Sequence, residues 1–447
     1  MIGRALSAIS RQVRRASERA GPARRSIDAG GGGRRWEGSP WLADPARDMR
    51  QARDTARHRA AGMVANDPFA ARAVDAWTAS LVGGGGWQAR SHHPDEAARR
   101  RLNSEFEALI GPLLAPVARA IVRDGEAIVH LRVGDDGLRP RLIPAAQLDS
   151  SLTREAESGR RIEQGIELDE NEDPVAYHIL RPAPGGGLSL QADRIPAEDI
   201  LHIFELTHPG QRRGLSWLAP VLLTLRDRSD LRDAILMQAK VAALLTGYVS
   251  SPDGGDAGLS DGGAASGGAV DLSLEPGAVR VLPPGAHVEM SDPPNGLSQV
   301  ADMARGIDRN IAAGIGLSYE QLTGDLAEAS YSAARSSLLA HRRLADMKRR
   351  DLIERQFLRP LWRRWIRVEL LRGAVTAETD DDLAADFIAP GWQWVDPQRE
   401  SAAALAENEA GVRSKAEIIA ARGRDPDEVL AEIAAERAAG EGGDDAA

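Results

Sequence analysis

The chain has 447 residues, a formal net charge of −10 at pH 7, 43% apolar residues, 4% aromatics and no cysteine. That length exceeds one ordinary domain, so two or more packed units are expected. The lack of cysteine removes disulfides, thiolate catalysis and cysteine-ligated zinc or iron–sulfur sites; no run approaches the roughly 18 apolar residues of a membrane-spanning helix, and MIGRALSAISRQVRR lacks a secretory core, so a reducing cytoplasm and no membrane are expected.

Residues 1–35 carry nine Arg against Glu18 and Asp28 and show no sustained apolar period, which predicts a basic, mobile tail over 1–44. From Pro45 a helix is predicted to about Asn66. Asp67-Pro68 then supplies an N-cap and a first-turn proline for a second helix, with Phe69, Val74, Trp77 and Leu81 near helical spacing and a stop at Gly83 to Gly86. Two more helices are expected over 95–110 and 113–123. Strand signals follow in EAIVHLRV (126–133), RLIPAAQL (141–148), a hairpin-like pair within 162–180 that turns at Asn171 to Pro174, and LHIFEL (201–206). The expected class is α+β, mainly helical, with antiparallel pairing.

Helix is predicted again from Trp217 to about Leu245, ending at the polar run SSPDGGDAGLSDGGAASGG. Residues 248–295 carry seven acids against Arg280 alone. Short strands, AVRVLPPG and AHVEM, precede a helix at about 297–315, so two helices flank a small β-module. Residues 316–332 read as a polar loop, and a long helix is expected from Tyr331 to Arg372, kinked at Pro360, with twelve basic against four acidic residues. After Gly373 the sign reverses to eighteen acids against six bases. Ser414 with Glu417, and Asp425-Pro426 with Glu428, mark two helices there, and EGGDDAA is expected to be disordered.

No constellation for catalysis emerges. A phosphate loop needs glycines leading into Lys-Ser or Lys-Thr, and none of Lys240, Lys348 and Lys415 has that setting. Gly214-Leu215-Ser216 lacks the closing glycine of a nucleophile elbow, which makes Ser216 a helix cap. His92-His93 lack the i, i+4 spacing of two metal ligands and read as a surface loop, and Asp380, Asp381 and Asp382 read as a solvated turn. Trp362, Trp365, Trp392 and Trp394 read as core or subunit-interface residues. Neither a cofactor nor a metal is expected.

Four segments, in order, resemble the lambda-type family of phage portal proteins: ARDTARHRAAGMVANDPFAARAVDAWTASLVGGG (52–85), IEQGIELDENEDPVAYHIL (162–180), HIFELTHPGQRRGLSWLAPVLLTLRD (202–227) and AAGIGLSYEQLTGDLAEASYSAARSSLLAHRR (312–343). The family usually has Pro where Ser318 stands and Asn where Ser330 stands. The resemblance implies a ring of about twelve copies at a capsid vertex, with 45–216 as wing, 217–246 and 297–315 as stem helices, 247–296 as clip, 316–332 as tunnel loop, 333–374 as the long helix behind it and 375–447 as crown. It implies no enzyme. The implied partners are other copies of the chain, double-stranded DNA in transit, the terminase large subunit, a head-completion adaptor and the major capsid protein, in the virion and, during assembly, the host cytoplasm.

Duplex DNA carries a charge every ~1.7 Å of axis, so a basic bore would hold phosphates and an acidic lining slides better. The tunnel loop offers Glu320, Asp325 and Glu328 with Ser330 and Tyr331 as channel-lining candidates. In the clip, Asp253, Asp256, Asp261, Asp271 and Glu275 are candidates for partner docking. Two other classes stay open at this point: a different ring connector or minor capsid protein of a phage or gene transfer agent, and a DNA-packaging enzyme, which would need a carboxylate cluster and an ATP loop.

Overall fold

The computed structural model describes residues 45–155, 160–243, 247–250, 287–290, 297–327, 330–394 and 396–444. The chain falls into two units, Met1–Asp48 and Met49–Ala447. Of the first, only the opening turn of helix α1 (Pro45–Asn66) is described.

The second unit is α+β and mainly helical. Helix α2 (Pro68–Val82) begins where Asp67 accepts from the amides of Phe69 and Ala70, both at 2.9 Å, and buries Val74, Trp77 and Leu81. Strand β1 (Gln88–Ser91) leads to α3 (Glu96–Asp124), one continuous helix where two were expected. Pro112 and Pro116 lie inside it on the exposed side, where water can bond the carbonyls they leave unpaired. Its buried stripe of Leu102, Phe106, Ile110, Leu114, Val117 and Ile121 runs unbroken past both prolines, and that burial outweighs the lost hydrogen bonds.

Strand β2 (Glu126–Gly134) is the centre of a three-stranded antiparallel sheet with β3 (Gly137–Ile143) and β9 (Ile200–Phe204). Ala127, Val129 and Leu131 face the larger core, and Ile128 faces a second, smaller core with Leu148, Ile166 and Tyr177. Burial on both faces explains why Ala127, Ile128 and Val129 are apolar in succession. The smaller core is closed by a five-stranded antiparallel sheet of β4 (Arg154–Glu155), β5 (Arg161–Glu163), β6 (Ile166–Leu168), β7 (Pro174–Pro182) and β8 (Leu188–Pro196). Of the expected strand at 141–148, only the start is strand; Ala145–Gln147 is a 3-10 turn.

Ser216 accepts from the Leu218 amide at 3.2 Å and opens a 3-10 turn, Ala219–Val221, so helix α4 (Leu222–Ala243) starts five residues later than expected. Strands β10 (Gly247–Ser250) and β11 (His287–Met290) pair antiparallel ahead of helix α5 (Leu297–Ile315), which packs against α4 and is tied to it by the Arg228–Asp308 ion pair. Asp253, Asp256, Asp261, Asp271 and Glu275, and the AVRVLPPG segment, lie outside the described residues.

The stretch 316–332 is not only loop: helix α6 (Tyr319–Thr323) lies within it. Helix α7 (Tyr331–Lys348) then passes through a π segment, Arg349–Leu358, into α8 (Arg359–Leu371). The disturbance expected at Pro360 takes this form: the amide of Arg359 reaches five residues back to Glu354, a widened register just ahead of a residue that clashes with a normal helical turn. Strand β12 (Ala385–Ile388) pairs with β1 across almost 300 residues of sequence, Gln88 opposite Ile388. The C-terminal part is helical, with α9 (Pro397–Glu409), α10 (Lys415–Ala421) and α11 (Pro426–Asp444). The last helix extends into the EGGDD run expected to be disordered, carried by an alanine-rich stretch of high helix propensity.

Candidate functional site

The loop between α5 and α7 is anchored at its root. Trp77 Nε1 donates to Ile315 O at 2.8 Å, and His341 Nδ1 lies 3.3 Å from Gly316 O while its Nε2 lies 2.9 Å from Ser80 Oγ. Burial holds the His341 ring below its ordinary pKa, so it is neutral and donates through Nδ1 to that carbonyl. Gly316 has φ +73°, and a Cβ there would sit 3.1 Å from Leu344, so the chain can reverse at this point only with glycine.

Beyond the root, Ser318 caps α6: its Oγ accepts from the Gln321 amide at 3.1 Å, and Gln321 Oε1 accepts from the Ser318 amide at 2.9 Å. Arg72 Nε donates to Gln321 O at 3.2 Å. Glu320 is half-buried and Asp325 is exposed. Asp325 Oδ1 accepts from the Ala327 amide at 3.0 Å and Oδ2 from the Tyr319 hydroxyl at 3.3 Å. Partial burial, with Asp325 adding to it, raises the Tyr319 hydroxyl above its ordinary pKa, so Tyr319 stays a donor at neutral pH. Leu326 is 67% exposed at the tip. Ser330 is exposed and caps α7 by accepting from the Ala333 amide at 3.2 Å, and Tyr331 beside it is exposed. Glu328 lies outside the described residues. The described part of the loop therefore presents Asp325 and Tyr331 to solvent, without a cation paired to Asp325.

Two polar clusters that the sequence did not suggest stand out in the scaffold, the first of them at the root of this loop. In the first, Lys348 donates to Glu205 Oε1 and Oε2 at 2.6 and 2.7 Å and stands 4.2 Å from the Trp217 ring centroid. Trp77 meets Trp217 edge-on at 5.0 Å, and a cavity of about 300 Å3 opens among Trp77, Glu205, Gln211, Trp217, Ile315 and Lys348. This joins the root of α4, the root of the loop and α7. Three tryptophan and lysine positions far apart in sequence gave no local signal for it.

The second cluster is fully buried. Glu126, at the start of β2, accepts from Arg213 Nε at 2.8 Å and Nη2 at 2.5 Å, from Arg53 Nη1 at 3.0 Å and from the Gly214 amide at 3.1 Å, with His202 Nε2 2.9 Å away. Burial alone would raise the Glu126 carboxyl, but Arg213 and the hydrogen bonds hold it well below the ordinary carboxylate range. Burial, with Arg213 nearby, lowers Arg53 to about 10, and burial also lowers His202, which is therefore neutral. Gly125 and Gly214 bring the backbones together: a Cβ on Gly214 would lie 2.0 Å from Gly125 O. The pair Gly125-Glu126 against Arg213-Gly214 was the available signal, since glycine beside a charged residue marks close backbone approach at a buried ion pair.

The remaining candidates sit in structural roles. Trp362 and Trp365 are buried in the larger core with Phe106; Trp392 stacks on Arg349 at 3.9 Å and Trp394 on Arg422 at 3.3 Å. Asp382 accepts from the amides of Glu378 and Thr379 at 2.9 and 3.0 Å, making the aspartate run a turn. His92 bridges Asp386 at 3.1 Å and Asp381 at 3.4 Å, and His93, expected with it in a surface loop, is instead buried against Thr376 O. Among the described residues no group of three or more His, Asp or Glu converges to hold a metal, and no helix is long and apolar enough to cross a membrane.

The model of the family described as phage portal protein, lambda family, matches residues 32–349 of this chain. The chain belongs to that family. The ring and DNA-channel role of a portal follows from this membership, in a component of the virion. Among its relatives, the "Probable portal protein" of Halomonas phage phiHAP-1 is 27% identical over 433 residues, 89% of this chain and 83% of that protein. "Portal protein B" of Escherichia phage lambda is 26% identical over 311 residues, 61% of this chain and 57% of that protein. A chain in a structure titled "Neck of native GTA particle computed with C12 symmetry" aligns with a TM-score of 0.46 at 15% identity, covering 83% of this chain and 96% of that one.

Proposed function

We propose that about twelve copies of this chain close into the portal ring at one capsid vertex, pass double-stranded DNA inward during packaging and outward during ejection, and act as a conduit without catalysis. The observation that carries this reading is the family match over 32–349, which covers every described element from α1 to α7. The regions follow the order of the chain: wing over 45–216, stem over 217–246 and 297–315, clip over 247–296, tunnel loop over 316–332, long helix over 333–374 and crown over 375–447. The packed helix pair α4 and α5, continued by the β10–β11 hairpin, supports the stem and clip assignment.

In this reading Glu320, Asp325, Glu328, Ser330 and Tyr331 line the channel. Asp325 carries no paired cation among the described residues and shares the sign of DNA, so phosphates pass without being held. The acids at 253, 256, 261, 271 and 275 dock basic surfaces of the terminase large subunit and then of the head-completion adaptor, while the outer wing meets the major capsid protein. The chain assembles in the host cytoplasm and ends in the virion. The test is in-vitro packaging: capsids assembled with this chain should protect DNA from nuclease, and capsids assembled without it should not. ATP hydrolysis or DNA cutting by the purified chain, abolished by changing Asp380, Asp381 and Asp382 to Ala, would overturn the conduit reading.

A further inference from the structure

The long helical run from Tyr331 to Leu371 carries two kinds of arginine, those held in ion pairs and those without one. On its inner side Ala345, Leu352, Ile353, Phe357, Leu361 and Trp365 are buried in the core. One set is held in ion pairs: Arg349 with Asp346, exposed Arg355 with Asp351 at 3.5 Å, Arg359 with Glu354 at 2.7 Å and Arg364 with Asp199 at 2.6 Å, and just past the run Arg372 with Glu369 at 2.9 Å. The outer side differs. Leu339, Arg343 and Met347 on α7 and Arg350 at the start of the π segment are all exposed, and after that segment Arg363, Arg367 and Leu371 are again exposed together. Arg343, Arg350, Arg363 and Arg367 make no ion pair or hydrogen bond among the described residues.

A face meant only for water has no use for the apolar residues in this stripe, yet Leu371 is 88%, Met347 47% and Leu339 43% exposed. Arg and Met interleaved with leucine are the composition of a surface covered by protein. The opposite sign stands on α11. Glu428, Glu432 and Glu436, at i, i+4 and i+8, are all exposed on one side, and only Glu432 is paired, with Arg424 at 2.8 Å. The acid excess there is felt inside the chain: burial raises the Glu107 carboxyl, and Glu428 and Asp425 raise it further. No ion pair joins the two stripes within one copy. Residues four apart on a helix rise about 6 Å, so Arg363 and Arg367 match the repeat of the glutamates.

We infer that the arginine stripe on the outer side of the long helical run docks against the glutamate stripe of the C-terminal helix of a neighbouring copy. The inference rests on the ring reading above and gives it a head-to-tail contact, in which each copy offers one stripe and receives the other, as a closed ring requires. A second copy fits better than DNA because phosphates would leave Leu339, Met347 and Leu371 uncovered, and because the complementary row is in this same chain.

The test uses the full chain with charges reversed. One variant carries Arg343, Arg350, Arg363 and Arg367 all changed to Glu; a second carries Glu428, Glu432 and Glu436 all changed to Arg; a third combines them. Each single-stripe variant should need at least tenfold more protein to assemble than the wild type, with unchanged circular dichroism because every substituted side chain is exposed. The combined variant should recover assembly, and an equimolar mixture of the two single-stripe variants should co-assemble. Assembly of the wild type should weaken as salt rises. A wild type that stays monomeric defeats the ring reading itself. If the wild type forms rings and reversal leaves them intact, or if neither combination nor mixing restores assembly, this inference is wrong while the ring stands. Loss of DNA binding with assembly untouched assigns the stripe to DNA and overturns it as well.

Discussion

Changing Glu126 to Gln removes the only carboxylate among the described residues that touches both Arg53 and Arg213, in a site where all three side chains are buried to within 3%. The wild-type carboxylate receives five close contacts between 2.5 and 3.1 Å from these arginines and Gly214, with His202 beside it. Breaking one partner of a buried ion pair leaves uncompensated charge and costs about 3–5 kcal/mol, two to four decades in the unfolding equilibrium. Glutamine keeps the shape and one acceptor, and half-exposed Asp54 still faces Arg53, so the lower end of that range is expected. Urea unfolding followed by tryptophan fluorescence and circular dichroism reads the shift in midpoint at constant slope. Exchanging Glu126, Arg53 and Arg213 together for apolar residues should cost less than Glu126→Gln alone. The native Glu126 carboxyl lies below its unfolded value of about 4.3, so its contribution is present above that pH and is lost as pH falls through the native value. The Glu126→Gln variant should lack that acid-side loss. A cost under about 1 kcal/mol, or an unchanged acid transition, would refute the role given to this cluster.

Three further outcomes follow from other parts of the fold. His92 is raised above its ordinary pKa, first by its hydrogen bond to Asp386 and then by Asp381, so its contribution is full below about 6.5 and is lost as pH rises through the native value; His92→Gln should flatten stability against pH in that window, with Arg90, Arg359, Asp425 and Asp427 as the other charges near the joint. Lys348→Met should cost about 1.5–3 kcal/mol, because Glu205 loses both charge-assisted bonds, and should shift the emission of Trp217, readable in the same urea titration. Asp325→Lys with Glu328→Lys should leave rings intact but slow DNA packaging, most at low salt, in an assay that follows rate and final packaged length; normal packaging at every salt concentration would remove the loop from the channel lining.

Much of the helical framework was legible because its signals are local. Asp67-Pro68, Ser414 with Glu417 and the apolar stripe of α2 each act within a turn or two, and the structure shows each at work, whereas Ser216 only accepts from the Leu218 amide ahead of a 3-10 turn and caps no helix. The largest misreading comes from tertiary burial overriding local rules. Pro112 and Pro116 ought to break a helix, yet the stripe from Leu102 to Ile121 holds it together. QARS and ADFI are too short to announce themselves and become strands only through each other. Helix α6 was readable, since Ser318-x-x-Gln321 is a capping pattern, but the surrounding polarity masked it. Of the channel candidates, Asp325, Ser330 and Tyr331 are exposed in the structure, and Glu320 is half-buried. Glu126 and Arg213 were not, because a charged residue buried beside glycine looks in sequence like any strand end or turn.

Cryo-electron microscopy of the purified full chain tests the central claim most directly. The account predicts closed rings of about twelve subunits around an open bore wide enough for a DNA duplex, roughly 20 Å, with the segment around Asp325 nearest the axis. A particle population of stable monomers under capsid-assembly conditions, or rings whose bore is lined by the arginine stripe of the long helix instead of the loop, would contradict it.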